Sequence, residues 1–277
     1  MQIVHSFQEL RSARSQMSGT VGLVPTMGFL HEGHLSLVRA ARAACDHVAV
    51  SIFVNPTQFG PKEDLANYPR DLDHDAALLE KAGVDLVWNP TPEEMYPQNY
   101  QTWVSVEDLT RPLEGGYRPG HFRGVTTVVA KLFNAVQPHK AFFGQKDAQQ
   151  AAVIRQMVRD LSYPIEIVVC PIQREADGLA MSSRNTYLSP QERRAALVLS
   201  RSLFKARDAY TAGSRDAAAL RQLVLDSLAQ EPLANVQYVS CADFETLQEV
   251  DTLQHPALLS MAVYVGKTRL IDNVILG

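Results

Sequence analysis

Cysteine is scarce in this chain. Three thiols, Cys45, Cys170 and Cys241, lie far apart among 277 residues and form no CxxC pair, which argues against a disulfide framework or a structural zinc site. Long hydrophobic runs are missing too. Although 46% of the residues are hydrophobic, no stretch approaches the ~20 apolar residues that a membrane span needs. The opening MQIVHSFQEL has no basic segment leading into an apolar one, so no secretory signal is read there. There is no basic tract, no internal repeat and no low-complexity segment. Lys and Arg number 26 against 30 Asp and Glu, for a net charge of -4. Broad binding to a nucleic-acid backbone, which needs clustered cations, is therefore disfavoured. An anionic ligand must instead be met by a few local positive groups. These absences predict a soluble cytoplasmic protein that acts on small molecules, with no membrane and no nucleic acid as partner.

What is present is an alternation of periods over the first 170 or so residues. Val21–Pro25, Val48–Val54, Val84–Trp88, Ala141–Phe143 and Ile165–Val169 read as buried strands. Leu35–Ala44, Asp71–Ala82 and Asp147–Leu161 read as helices between them. Val125, Val128, Val129, Leu132, Phe133 and Val136 fall on one helical stripe that Pro138 closes. Strand and helix in turn predict an α/β fold, a Rossmann-like doubly wound parallel sheet with ligands at the carboxyl ends of its strands. After about Pro171 the pattern changes to a helix opened by Ser189-Pro190 and running to about Tyr210, a second over Leu220–Ala229, then apolar runs at Val236–Val239 and Leu259–Val265 and a final RLIDNVIL. This predicts a smaller α+β C-terminal domain, with residues 1–172 as the first domain and 173–277 as the second.

The chemistry concentrates where strands give way to helices. In VPTMGFLHEGH a strand runs through a glycine-containing turn into a helix start, a layout suited to phosphate. The helix N-terminus carries unpaired N–H groups and about half a positive charge. Gly28 and Gly33 let backbone approach a ligand closely. His31 and His34 stand at i and i+3, so both rings can face one phosphate. A zincin reading fails, because the HEGH histidines are three residues apart and HExxH needs four. In GQKDAQQ, Lys146 is a mobile point charge suited to phosphate, and Asp147 is placed either to cap the helix or to hold a ribose hydroxyl. In FVNPTQF, the amides of Asn55 and Gln58 both donate and accept, which suits a ligand with a carboxylate and hydroxyls. MSSRN offers two hydroxyls and a guanidinium, but by itself reads equally as a serine-rich turn before the next helix.

The segment PTMGFLHEGH resembles the His-x-x-Gly-His element of the nucleotidylyltransferase superfamily. Together with SIFVNPTQF, YPR, LEGGYRPGHFRGV, FFGQKDAQQ, READGLAMSSRN and RLIDN, it resembles the pantothenate synthetase (pantoate–beta-alanine ligase) family over essentially the whole chain. The resemblance implies a two-step reaction. Pantoate and Mg-ATP give enzyme-bound pantoyl adenylate and pyrophosphate, and the amine of beta-alanine then displaces AMP to give pantothenate. It implies catalytic roles for His34, His31, Lys146 and Arg184. It implies ATP contacts from Met27, Gly28, Phe29, Leu30, His31, Glu32, Gly33 and His34, from Gly144, Gln145, Lys146 and Asp147, and from Gln173, Met181, Ser182, Ser183 and Arg184. Gln58 and Gln150, with Asn55, are implied as substrate contacts, and Tyr68, Glu114, Arg118 and Arg123 as further candidates.

The resemblance also implies Mg2+ near an acidic pair. Here the sequence has DLDHD, with His74 between Asp73 and Asp75, so the expected contact is Asp75, directly or through water. A mobile C-terminal domain acting as a lid and a homodimer follow from the same resemblance. Two alternatives stay open at this point: a nucleotidyltransferase acting on a phosphorylated acceptor, and a non-catalytic nucleotide sensor.

Overall fold

In a computed structural model, which describes residues 1–61 and 63–277, the chain divides into two compact units, Met1–Pro171 and Ile172–Gly277. The first holds strands β1 (Gln2–Val4), β2 (Val21–Thr26), β3 (His47–Ile52), β4 (Leu86–Trp88), β5 (Lys140–Gly144) and β6 (Glu166–Cys170). Its longer helices are α1 (Phe7–Ser15), α2 (Glu32–Ala44), α3 (Leu72–Lys81), α4 (His121–Val136) and α5 (Ala148–Asp160). All five strand pairings are parallel, in the order β1-β4-β3-β2-β5-β6. The expected Rossmann-like sheet is what forms.

Both faces of this sheet are covered, and the alternation of side chains along each strand shows how. Val21 and Leu23 of β2, Ala49 of β3 and Ala141 and Phe143 of β5 enter one core with α1, α4 and α5. Val24, Val48, Val50, Ile52 and Phe142 enter a second core, with Leu37, Val38 and Ala41 of α2 and Leu79 of α3. Near-continuous apolar strands are the mark of a sheet buried on both sides. The connections from β2 run through α2 to β3 on one side, while β5 flanks β2 on the other. The strand order therefore reverses between β2 and β5, where such sheets leave a crevice at the strands' carboxyl ends.

Several of the shorter elements escaped the reading of periodicity, among them β1 and α1. β1 is only three residues long, and α1 is a nine-residue helix whose start is set by a capping box, Ser6 accepting from the Glu9 amide while Glu9 reaches back.

The second unit contains α6 (Pro190–Ala195), α7 (Leu197–Thr211), α8 (Ala217–Leu228) and an antiparallel sheet β7-β8-β9 (Ala234–Asp243, Ala257–Val265, Thr268–Leu276). The single long helix expected from Ser189-Pro190 is two helices, broken at Ala196. The antiparallel strands present Leu259, Met261, Val263 and Val274 to Leu199, Leu203, Leu220 and Val224, giving this unit its own core.

Candidate active site

The helix start after β2 is built by its own histidines. His31 is the N-cap residue of α2, and its Nδ1 accepts from the Gly33 amide at 3.1 Å. The Nδ1 of His34 accepts from the His31 amide at 3.3 Å, completing a capping box in which imidazoles replace the usual hydroxyl and carboxylate. The rings lie 4.1 Å apart, centroid to centroid. An acceptor Nδ1 places the proton of each neutral ring on Nε2, an assignment that follows from the hydrogen-bond network. Burial pushes the pKa of His34 down to about 3, helped by the nearby His31 and the charge of Lys146. At neutral pH, His34 is therefore an uncharged Nε2–H donor. Glu32 turns outward and pairs with Arg39 on the exposed side of α2.

The turn that carries the chain into this cap is held from below. Gly28 has φ +82°, and a Cβ there would lie 3.0 Å from both Asp75 Oδ2 and Ile52 Cγ2. Phe29 is also left-handed, at φ 51°. The strain is met by Asp75 on α3, whose Oδ2 accepts from the Phe29 amide at 2.8 Å and whose Oδ1 accepts from the Leu30 amide at 2.7 Å. Thr26 adds a bond from the Gly28 amide at 3.2 Å while donating to the Ser51 carbonyl. Asp75, expected near a metal, is thus seen holding this turn. Its carboxylate is 1% exposed and both oxygens are spent on backbone amides. Among the described residues, no group of three or more His, Cys, Asp and Glu side chains could hold a metal ion.

After β3, a one-turn helix over Pro56–Gln58 sets the amides, with Asn55 as its cap. Asn55 is itself held inside the protein. It is 1% exposed, and its Oδ1 accepts from Tyr96 at 2.9 Å and from the hydroxyl and amide of Thr57. Its Nδ2 donates to the Gly124 carbonyl at 3.1 Å and to Gln58 Oε1 at 3.0 Å. Through the bond from its Nδ2, Asn55 orients the Gln58 side chain. Burial pushes the Tyr96 phenol up to about 12, so it remains a donor to Asn55. Because Gln58 Oε1 faces Asn55, its NH2 points the other way, to Met27 Sδ at 3.2 Å.

After β5, a single 3-10 turn (Gln145–Asp147) leads into α5. Asp147 makes no side-chain cap bond and is exposed, so of its two expected roles capping is absent. Lys146 acts electrostatically on His34, which brings the loops after β2 and β5 to one place. The two neighbouring glutamines on the first turn of α5 differ. Gln149 is buried, its amide bonded to Glu114 N, Leu109 O and Pro112 O. Gln150 is half-buried, and no hydrogen bond among the described residues uses its side chain.

In the second unit, a tight hairpin brings Gln173 and Met181 together through a 2.9 Å backbone bond. Ser182 caps the following turn by accepting from the Arg184 amide at 3.2 Å, and Ser183 is buried. The hairpin is fixed by a bidentate pair between Arg174 and buried Asp272, at 2.7 and 2.8 Å. Asn185 donates to Glu175 and to the Ala180 carbonyl. READGLAMSSRN and RLIDN, far apart in sequence, thus form one local framework.

Of the further candidates, Arg118 is held bidentately by Glu63, at 2.7 and 2.8 Å. Arg123 stacks on Trp103, 4.3 Å from the ring centre. Glu114 and Tyr68 are buried. His121, bonded to the Gln58 carbonyl at 2.8 Å, was overlooked in the sequence, and nothing in its spacing marks it.

The family model described as pantoate-beta-alanine ligase matches residues 2–275. A pantothenate synthetase from Herpetosiphon aurantiacus is 61% identical over 277 residues, covering 100% of both chains. One from Roseiflexus sp. is 59% identical over 276 residues, covering 100% of this chain and 99% of that one. Among solved structures, pantothenate synthetase from Thermus thermophilus superposes with a TM-score of 0.95 at 48% identity, covering 99% of each chain. A pantoate-beta-alanine ligase from Francisella tularensis, described as complexed with beta-gamma ATP and beta-alanine, gives 0.82 at 34% identity over 99% of this chain and 97% of that one.

Proposed function

The chain belongs to the pantoate–beta-alanine ligase family, and from that premise we propose how its residues divide the work of condensing pantoate with beta-alanine at the expense of ATP. The reaction runs in two steps. A pantoate carboxylate oxygen attacks the α-phosphorus of ATP, and pyrophosphate leaves. The nitrogen of beta-alanine then attacks the acyl carbon of pantoyl adenylate, AMP leaves with the bonding pair, and the amine gives up a proton.

The observation that carries this reading is the imidazole capping box beside Lys146 at the β2/β5 crevice. The carboxylate of pantoate is already ionised at neutral pH, with a reference pKa near 4, so the first step needs no base. It needs charge neutralised at the α-phosphate and on the departing pyrophosphate, with the reactants held in line. His34, uncharged, donates its Nε2–H to the phosphate under attack and transfers no proton. Its Nδ1 is held by a backbone amide, and with a pKa of about 3 the ring does not take up a proton at neutral pH. His31 donates in the same way, Lys146 supplies positive charge, and Asp147 is left to the ribose. Gln58 turns its NH2 to a pantoate oxygen, and Gln150 supplies a second amide.

Gln173 and Met181–Arg184 of the second unit are assigned to the nucleotide, with Arg184 on the triphosphate and the unit acting as a lid that keeps the mixed anhydride from water. Mg2+ enters with the nucleotide. Both oxygens of Asp75 accept backbone amides, so Mg2+ is left here to the substrate phosphates, which commonly hold it with few protein carboxylates. A homodimer is proposed from the family resemblance, to be read as a dimer mass by light scattering. A cytoplasmic location accords with three buried, unpaired thiols.

The experiment is pantoate-dependent exchange between ATP and pyrophosphate. The wild-type chain is expected to exchange. His34→Ala and Lys146→Ala are expected to lose on the order of 10²–10³ in rate, comparable to removing one oxyanion donor. Arg184→Ala is expected to raise the ATP requirement and to release pantoate and AMP without beta-alanine. Near wild-type exchange in the histidine and lysine variants would overturn the assignment. ATP binding without exchange would favour a sensor, and exchange only with a phosphorylated acceptor would favour a transferase.

A further inference from the structure

The segment LEGGYRPGHFRGV, residues 113–125, is given no step in the chemistry proposed above, and polar bonds tie it to the rest of the first unit. We propose that this segment is a positioning frame for the two substrate amides, with His121 as the residue that sets Gln58. The inference rests on reading Gln58 as a pantoate contact.

The argument begins with helix α4 against the turn that carries Gln58. A Cβ on Gly124 would lie 2.4 Å from the Thr57 carbonyl oxygen and 2.7 Å from the Gln58 nitrogen, so only glycine lets the helix come this close. That approach delivers two bonds. The Gly124 carbonyl accepts from Asn55 Nδ2, at 3.1 Å, the same nitrogen that fixes the head of the Gln58 side chain. His121 Nδ1 lies 2.8 Å from the Gln58 carbonyl oxygen. A carbonyl only accepts, so His121 carries its proton on Nδ1 and donates it there. Main chain and side chain of Gln58 are thus each fixed from the same helix, one directly and one through Asn55.

His121 is in turn held in that tautomer. Arg118 NH1 lies 3.1 Å from Nε2 and, being a donor only, requires an unprotonated nitrogen. The remaining edge of the guanidinium is bidentate to Glu63, and Glu114 Oε2 stands 3.7 Å from NH1. The charged groups around the ring are therefore Arg118, Glu63 and Glu114. Burial and Arg118 push His121 down to about 4, consistent with a ring that stays neutral and keeps both bonds.

The other end of the segment is anchored beside the second amide. Glu114 N donates to Gln149 Oε1 at 2.9 Å, and Gln149 Nε2 donates to the Leu109 and Pro112 carbonyls. The turn between is too tight for a side chain, because a Cβ on Gly115 would lie 1.7 Å from the Thr110 oxygen. Gln149 is the neighbour of Gln150 on α5, so one continuous segment is bonded at its start next to Gln150 and at its end to Gln58. Their separation is set by this frame, and a positioning error at either amide is expected to appear in pantoate binding first.

The test compares full-length variants at His121 by steady-state kinetics with each substrate varied in turn. Gln places its amide nitrogen where Nε2 stood and loses the donor to the Gln58 carbonyl, whereas Asn places one where Nδ1 stood. His121→Gln is expected to raise the pantoate KM about tenfold, with kcat and the KM values for ATP and beta-alanine within about twofold. His121→Asn is expected to return the pantoate KM to within about threefold of wild type. A general loss of structure would move every parameter and would not be rescued by Asn.

An unchanged pantoate KM in folded His121→Gln, or equal shifts in all three KM values, overturns the proposal. Should His121→Gln not accumulate as folded protein, Arg118→Lys is read the same way. A single ammonium serves Glu63 or His121 but not both, so the same selective rise is expected and its absence overturns the frame. Gln58→Ala separates the two readings. If it leaves the pantoate KM unchanged, the role of Gln58 itself falls; if it raises the pantoate KM while His121→Gln does not, only the frame does.

Discussion

Replacing Asp75 by Asn tests whether this carboxylate is a structural clamp or a metal group. Its two oxygens accept backbone amides from Phe29 and Leu30 at 2.8 and 2.7 Å, inside a site where the side chain is 1% exposed. Asn is close in size but keeps one acceptor, and its NH2 must face a backbone N–H. One charge-assisted bond is lost and one buried donor is left unmatched, each worth roughly 1.5–3 kcal/mol. Part of this is returned, because burial of the charge is itself unfavourable and holds the Asp75 pKa above its ordinary value. A net loss of about 2 kcal/mol follows, equivalent to roughly 4–8 °C in the melting temperature of a unit of this size. The turn from Gly28 to His31 loosens with it, so the pyrophosphate burst is expected to fall about tenfold, since a misplaced donor forfeits much of its effect. The Mg2+ concentration for half-maximal rate is expected to stay within about twofold. The assays are thermal unfolding and a rapid-quench burst across a Mg2+ titration. A variant with wild-type melting temperature and a tenfold higher Mg2+ requirement would refute this reasoning and return Asp75 to the metal.

Two further predictions follow from the imidazoles. Because His34 donates from Nε2, His34→Gln, which keeps a donor near that position, is expected to retain at least tenfold more adenylation activity than His34→Asn; equal losses in burst experiments would contradict the tautomer. The stability of the protein is also expected to fall in acid. His34 and His121 have folded pKa values of about 3 and about 4 against an ordinary value of 6.5. The unfolded chain thus binds more protons, and their contribution is fully present above 6.5 and lost as pH falls toward the folded values. Each ring is expected to remove on the order of 2 kcal/mol between pH 8 and pH 5. Urea unfolding at the two pH values checks this, and His121→Asn, lacking a titrating ring, is expected to show about half the decline.

Much of the architecture was legible because it depends on local order. Val48, Val50 and Ile52 mark a strand and the stripe from Val125 to Val136 marks a helix, since side-chain period follows directly from backbone geometry. The imidazole cap was legible for the same reason: His31 and His34 are neighbours on one turn whatever the rest of the chain does. The break at Ala196 was not, because both flanking segments have the composition of one continuous helix. Asp75 was expected near a metal from the resemblance and Asn55 at substrate from its amide, and neither residue carries in the sequence a sign of the groups inside the protein that also hold it. Those groups are distant in sequence, Phe29 and Leu30 for Asp75, Gly124 and Tyr96 for Asn55.

The residue order alone determined an alternating α/β chain, a helix start crowded with imidazoles, and a set of segments shared with one ligase family. Folding decided what each polar side chain is for. A parallel sheet brings the ends of β2, β3 and β5 side by side although the loops after β3 and β5 lie far apart in sequence, and buried polar groups must find partners there or remain unsatisfied at a cost in stability. Which carboxylate holds backbone, which amide steadies another amide, and which face of a histidine carries its proton are consequences of that closure in space, and no spacing along the chain encodes them.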